Sequence, residues 1–383
     1  MENDSLGAAV FCRPCWVDID LGALRQNFRK VKEKISSQTA ILSVVKANAY
    51  GHGASQVAKV LVEESSDVLG VSSIEEGVAL RQDGITVPIL ILGSIFPFDN
   101  FPYLFDYRLT PTIASREAAE ALQSVAVSRG AAINVHLKID SGFGRIGVSP
   151  SKALDFITFT TTLSALSIEG IYTHFASADM DPEYTQHQLQ AFQTILEDSR
   201  AICSPRWIHA ANSSALLRFP NAHGTLVRPG LALYGVDPYL GSESVIELKP
   251  VLSWKTRVVY LKWIPERFPI SYARTWISKR PTRVATLAVG YADGYPRALS
   301  NKGYVLVHGQ RASIIGRITM DMIMVDVTDI AECRVGDEVV LIGSQGEDKV
   351  LSGDLARMAQ TNAYEILCRI GSRVPRFYTN GKH

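Results

Sequence analysis

Along most of the chain, short apolar runs rich in β-branched residues alternate with stretches whose apolar positions recur every three or four residues. The runs cover 40–45, 68–71, 89–92, 109–113, 133–139, 168–175, 207–211 and 226–234. Between them, Leu21, Leu24, Phe28, Val31 and Ile35 share one helical face, with Asp20 placed to cap it. Ala118, Ala121, Leu122 and Val125 repeat the pattern, as does the long stretch 182–202. Strands alternating with helices imply parallel strands joined by crossovers. Eight such units over this length fit a (β/α)8 barrel better than an open doubly wound sheet, which remains the alternative on pattern alone. The missing G-x-G-x-x-G fingerprint weakens the sheet reading further.

After about residue 241 the pattern changes. The strand-like runs 258–263, 283–289, 304–307, 314–315, 322–327 and 338–342 are separated by turn residues, and a helical pattern returns only at 354–370. The fold class expected is therefore α/β: an N-terminal TIM-like barrel over 13–241 and a mostly-β C-terminal domain over 242–383. Residues 1–12 are read as an N-terminal arm.

Composition changes this picture little. The 383 residues carry 39 Lys plus Arg against 38 Asp plus Glu, for a net charge of +1. Such a balance offers no electrostatic footprint for nucleic acid or an anionic membrane. No apolar run approaches the ~18 residues that span a bilayer. The first six residues contain Glu2 and Asp4 but no basic residue, unlike a signal peptide. Five scattered cysteines fit reduced thiols, and together these features predict a cytoplasmic protein. Cys12 and Cys15 form a C-x-x-C with Pro14 inside it, but no second ligand pair stands at zinc spacing, so no metal is expected.

Chemistry in a barrel gathers at the C-terminal ends of its strands. The first strand ends in Val45-Lys46-Ala47-Asn48-Ala49-Tyr50-Gly51-His52-Gly53. A lysine partly desolvated in a barrel mouth is a nucleophile able to condense with a carbonyl. The fifth strand leads through Lys138 and Asp140 to Arg145. The sixth ends at His174, the seventh at His209-Ala210-Ala211-Asn212-Ser213-Ser214, and the eighth region carries Arg228-Pro229-Gly230-Leu231. Singly, each polar group reads as a cap, a turn or a satisfied core residue. Their gathering at one rim points to a site. Ser213, Ser214 and Gly230 also make an anion cradle where barrels often bind phosphate. A phosphate cradle beside a carbonyl-reactive lysine suits pyridoxal phosphate (PLP).

These residues carry a resemblance. From Val17-Asp18-Ile19-Asp20-Leu21 to Arg373-Val374-Pro375-Arg376 the chain resembles bacterial alanine racemases. The Lys46 segment is similar to that family's PLP-lysine signature, and Ser271-Tyr272-Ala273-Arg274 to the segment bearing its second base. Gly290-Tyr291-Ala292-Asp293-Gly294-Tyr295-Pro296-Arg297 and Gly316-Arg317-Ile318-Thr319-Met320-Asp321 resemble further motifs of its β domain. The resemblance implies PLP-dependent interconversion of L- and D-alanine, supplying D-alanine for peptidoglycan. Lys46 would hold PLP and act as base on one face of the substrate, with Tyr272 on the other. Arg228 would face the pyridine nitrogen, and His174 would lie beside the ring. Tyr50, Ser213, Gly230 and Leu231 would hold the phosphate. Arg145 and Met320 would contact the substrate carboxylate. Lys138 matches a lysine carbamylated in some members, where it orients Arg145. The resemblance also implies a homodimer in which Tyr272 and Met320 reach the partner's site.

The chain departs from the family pattern at Ser372, where some members carry a phosphate-binding tyrosine, and at Thr319 and Phe143. The rival readings are a PLP decarboxylase of basic amino acids, a racemase of other specificity, and a non-catalytic PLP carrier. The first lacks its usual cysteine here. The last lacks a β domain, which this chain has.

Overall fold

The computed structural model describes residues 13–239 and 245–380. Met1–Leu6, the arm 1–12 with Cys12, and the expected domain boundary near residue 241 lie outside the described residues. The chain divides into two compact units: Ala23–Lys249, and Met1–Gly22 together with Pro250–His383.

The first unit is built on eight strands, numbered after β1 (Cys15–Asp20), which belongs to the other unit. They are β2 (Ala40–Val44), β3 (Val68–Val71), β4 (Ile89–Ile91), β5 (Thr110–Ile113), β6 (Ile133–Lys138), β7 (Leu166–Tyr172), β8 (Trp207–His209) and β9 (Leu226–Val227). They form one sheet in the order β8-β7-β6-β5-β4-β3-β2-β9, every ladder parallel. Thr225 N–H donates to Ile208 O and Arg228 N–H to Ala211 O, each at 2.9 Å, drawing β9 against β8 and closing the ring. β3 and β4 read as unbroken apolar runs because both of their faces are covered, and every residue in them is buried.

Helices lie between the strands where the spacing predicts them, and Ser73, Ser115, Asp181 and Asn212 cap four by accepting N–H bonds. The helix Leu21–Lys32 buries Leu24, Phe28 and Val31, but it stops before Ile35. In Arg116–Ser128 the buried face is Ala119, Leu122 and Ala126, one residue round from the face expected. Alanine marks a face weakly, since it is tolerated on either side of a helix. The run at 226–234 is a strand only at its first two residues; Leu231–Tyr234 is a 3-10 turn.

The second unit is a nine-stranded sheet with a separate hairpin. Its later strands are β10 (Leu252–Ile264), the hairpin β11 (Pro269–Ile270) and β12 (Trp276–Ile277), β13 (Thr282–Leu287), β14 (Tyr304–Val307), β15 (Gln310–Ser313), β16 (Ile323–Asp326), β17 (Glu338–Gln345), β18 (Asp348–Val350) and β19 (Arg376–Thr379). The main path is β15-β14-β17-β10-β1-β19. Buried Leu252, Trp254, Thr256 and Val258 alternate along β10, and Ile264, Ile270, Val284 and Ile315 form a cluster with Trp276 and Met324 packed on it. Residues 314–315, read as a strand, make only an isolated bridge, Ile314 to Val325.

The units differ from the boundaries drawn on the sequence. β1 pairs antiparallel with β10 and parallel with β19, so residues 13–22 belong with the β sheet and not with the barrel. Cys15 on β1 is buried, accepts from Trp254 Nε1 at 3.3 Å, and has its thiol pushed up to about 12 by that burial. Among the described residues, no helix is long and apolar enough to cross a membrane.

Candidate active site

Hydrogen bonds hold the end of β2 on both sides: Val44 N–H donates to Pro229 O at 3.0 Å and Val45 N–H to Gly70 O at 2.8 Å. Lys46, half-buried, therefore leaves a backbone clamped between two neighbours. Ala47, Asn48, Ala49 and Tyr50 follow with φ of 52–53°, a turn of left-handed helix. Such a conformation costs roughly 1–2 kcal/mol per non-glycine residue, so the surroundings must impose it. They do so through several bonds. Glu76 Oε1 accepts from Ala47 N at 2.7 Å, while Oε2 accepts from the Ser72 amide and hydroxyl. Asn48 Oδ1 accepts from Ala54 N at 2.8 Å, and Gly51 N–H donates to Ala47 O at 3.0 Å.

The turn delivers Tyr50 inward. Its ring packs 4.9 Å from that of Tyr234, whose hydroxyl donates to Val44 O at 2.9 Å. The Tyr50 hydroxyl reaches Gly230 so closely that a Cβ there would lie 2.6 Å from it. Buried Ser213 accepts at Oγ from Gly230 N (2.9 Å) and Ala232 N (3.2 Å), and Leu231 is buried beside them. Tyr50, Ser213, Gly230 and Leu231 thus form one patch, and its lack of a side chain at Gly230 is required by contact.

Cations crowd the rest of the mouth. Arg228 is buried, with Nη1 2.9 Å from His209 Nδ1, and Nη2 donating to Thr173 O (2.8 Å) and Ala210 O (3.0 Å) and lying 3.2 Å from His174 Nδ1. Burial pushes its pKa down to about 10, which leaves it protonated at neutral pH. Lys138 is buried with Nζ 4.3 Å over the Tyr172 ring. Its amine is held well below the usual lysine value by burial first, then by Arg228 and Arg145. Arg145 is exposed and covers the Phe143 ring at 4.3 Å, and that ring meets His174 at 5.4 Å. Asp140 accepts from the amides of Gly142, Phe143 and Gly144 and so shapes the loop leading to Arg145. His174 is held well below the ordinary histidine value by burial, then by Arg228, Lys138, Arg145 and Lys46. A lysine at the rim, a cradle closed by Gly230 and an excess of positive charge fit an anionic ligand with a carbonyl, as pyridoxal phosphate is.

Tyr272 and Met320 belong to the β unit, where they are 68% and 53% exposed. Tyr272 opens a 3-10 turn after Ser271, which has φ of 64° and donates from Oγ to Arg317 O at 2.6 Å. Ala292 N–H donates to Met320 O at 3.0 Å, and a Cβ on Gly290 would overlap that same carbonyl. The structure therefore gathers Tyr272 and Met320 on linked loops of one unit, and the remaining site residues around the mouth of the other. Ser372 is exposed in a turn before β19. Three residues escape the sequence reading: Glu76, His136 and Glu169. A polar residue inside each of the apolar runs of β6 and β7 was the available signal for the last two.

Buried neutral histidines make stability depend on pH with a definite sign. His136 and His209 are fully buried and both are held below the ordinary histidine value, chiefly by desolvation. The folded state keeps them neutral, whereas the unfolded chain takes up their protons below about pH 6.5. Their stabilisation is complete above that pH and declines as acid is added, by about 1.4 kcal/mol per pH unit for each proton. Urea midpoints measured from pH 7.5 to 5 should fall, and His136→Gln should make the fall shallower; identical slopes would rule this out.

Comparison with known proteins identifies the family of the chain. The description "Alanine racemase, N-terminal domain" matches residues 19–238, and "Alanine racemase, C-terminal domain" matches 251–378. An alanine racemase of Halothermothrix orenii is 49% identical over 370 residues, covering 96% of this chain and 97% of that protein. The solved alanine racemase of Clostridium difficile 630 superposes with a TM-score of 0.89 at 36% identity, covering 96% of each chain. That of Bartonella henselae, a structure with covalently bound pyridoxal phosphate, gives 0.87 at 30% identity over 96% of this chain and 99% of that one.

Proposed function

This chain belongs to the alanine racemase family of PLP-dependent isomerases, and from that premise we propose that it interconverts L- and D-alanine by a two-base mechanism at the barrel mouth. The observation that carries the reading is Lys46, held at the clamped end of β2 within a mouth lined by Arg228, Lys138 and Arg145. When bound, pyridoxal phosphate supplies delocalisation for the carbanion left by loss of the α-proton. Lys46 would hold the cofactor, and its amine would take or return the α-proton on one face. Tyr272 would do so on the other. Tyr50, Ser213, Gly230 and Leu231 would hold the phosphate, and His174 would lie beside the ring. Arg228 would face the ring nitrogen as a donor that keeps its own proton, which would leave that nitrogen unprotonated. Arg145 and Met320 would hold the substrate carboxylate. The depressed amine of Lys138 suits carbamylation: the uncharged nitrogen bonds to the carbon of CO2 with loss of one proton, and the resulting anion holds Arg145 in place. Supply of D-alanine to the cell wall from the cytoplasm is the corresponding role.

Proton exchange tests the activity directly. The protein, PLP and L-alanine in D2O should yield α-deuterated D-alanine by NMR. Bound PLP with neither exchange nor D-alanine would leave a decarboxylase, another substrate or a carrier.

The exposure of Tyr272 and Met320 supports a homodimer in which each reaches the partner's barrel. Mixing then has a countable result. Lys46→Ala and Tyr272→Phe chains, dissociated and reassociated in equal amounts, form about half heterodimers by chance. Each heterodimer carries one site free of both changes, so roughly a quarter of the parental activity should return. If both residues of a site came from one chain, nothing would return.

A further inference from the structure

Behind Arg228 the barrel holds polar side chains that this chemistry does not use. His136 on β6, Glu169 on β7 and His209 on β8 occupy three neighbouring strands, and Arg228 follows β9. Their proton positions follow from one another. A guanidinium has donors and no acceptor. Its Nη1 lies 2.9 Å from His209 Nδ1, so that nitrogen must present a lone pair. The His209 proton is then on Nε2, 2.8 Å from His136 Nδ1, which must accept it. The His136 proton is left on Nε2, facing Glu169 Oε2 at 3.8 Å, within ion-pair reach though longer than a hydrogen bond.

Packing holds each ring in that order. Gly170, next to Glu169, has no side chain where the His136 ring crosses: a Cβ there would lie 2.5 Å from Nδ1 and 2.6 Å from Cε1. Tyr172 stacks on His209 with centroids 4.5 Å apart and planes at 4°. Its hydroxyl is 2.8 Å from Thr112 Oγ1 and donates to Leu92 O at 3.2 Å, so it cannot swing away freely. At the outer end, Arg206 and Asn134 face Glu169, and with His136 they hold its carboxylate in the charged form.

We propose that Glu169 is the anionic end of a one-way row, Glu169–His136–His209–Arg228, which fixes both histidines as Nε2–H tautomers and positions the Arg228 guanidinium. The row places a negative charge at its outer end and a positive one at its inner end, with two neutral imidazoles polarised between them. Glu169 is a positioning residue: it touches neither substrate nor cofactor. The tautomers stand on the hydrogen bonds alone, while the consequence for catalysis rests on the function proposed above.

The test is nitrogen NMR of 15N-histidine-labelled holoenzyme, which reads each tautomer from its ring shifts. The parent should show His136 and His209 wholly as Nε2–H. Glu169→Gln keeps an acceptor and should retain that pattern. Glu169→Ala should leave His136 averaging between tautomers and lower kcat about tenfold, with KM for alanine little changed, as when the outer partner of a held group is lost. Gly170→Ala pushes the His136 ring with Glu169 intact and should give the same signature. An Nδ1–H form at either histidine of the parent overturns the row. So do unchanged shifts in Glu169→Ala, and altered shifts with unaltered kcat overturn the positioning role. Intact tautomers in a protein that racemises nothing would remove the assigned activity and leave the row standing.

Discussion

Replacing Lys46 with alanine should lower the conversion of L- to D-alanine by at least about 10³-fold, because a positioned acid–base group alone contributes about 10²–10⁴ and the proposed role makes Lys46 the covalent anchor as well. No neighbour can take its place. Val44 and Val45 are pinned to Pro229 and Gly70, which fixes the direction in which the next side chain leaves the strand. The left-handed turn at Ala47–Tyr50 then carries the backbone away at once. Lys138, the other lysine of the mouth, is buried over Tyr172 and comes from β6, on a different part of the ring. Borohydride reduction followed by peptide mass mapping should place the cofactor on the Lys46 peptide in the parent and nowhere in Lys46→Ala. A Lys46→Ala protein retaining a tenth of the parental rate would remove Lys46 from the mechanism.

Changing Arg228 to glutamate has the second largest effect, and a different one. Arg228 retains its proton despite burial, with a pKa near 10. On the role proposed for it, a ring nitrogen facing Arg228 would stay unprotonated, and the cofactor would supply a weaker electron sink than one paired with an acid. Proton return to the α-carbon would then be favoured over return to the cofactor, and transamination would be rare. Glutamate reverses that preference, and pyruvate formed per racemisation event should rise severalfold or more, read by coupled assay and by the cofactor's absorbance. It also discards donors to Thr173 O, Ala210 O and His209, and each buried acceptor left unsatisfied costs about 1–3 kcal/mol. Arg228→Lys, which keeps the charge, serves as the comparison. Pyruvate formation no higher than in the parent would remove the electron-sink account.

The eight barrel strands were legible because parallel strands covered on both faces must be apolar throughout, and so stand out from amphipathic helices. β1 was not assigned to its sheet, since its partners begin more than 200 residues further on and nothing local marks them. The helical pattern at 354–370 breaks into Ser352–Ala359 and Ala363–Cys368, with Gln360 at φ of 58° and Asn362 capping the second helix. An asparagine two residues past an unmarked break is readable only afterwards. At the site, Lys46, His174, Ser213, Arg228 and Gly230 stood at strand ends, where the barrel rule looks. Glu76 opens a helix one unit further along the chain. Its work, accepting from Ala47 and Ser72, exists only once two strands lie side by side.

β1 carries a consequence for the order of assembly during synthesis. It lies inside its sheet, between β10 and the edge strand β19, yet it leaves the ribosome before the barrel has been made. Its register with β19 joins Val17 to Arg376, and at about 5–20 residues per second that partner follows roughly 20–70 s later. Its other partner, β10, is made sooner: Val17 pairs with Trp254, about 12–47 s after Val17 at the same rate. Until then the apolar side chains of Cys15, Val17 and Ile19 have no sheet to enter. The nascent chain therefore presents a sticky strand while the barrel is still being made, a natural ligand for chaperones that hold extended apolar segments.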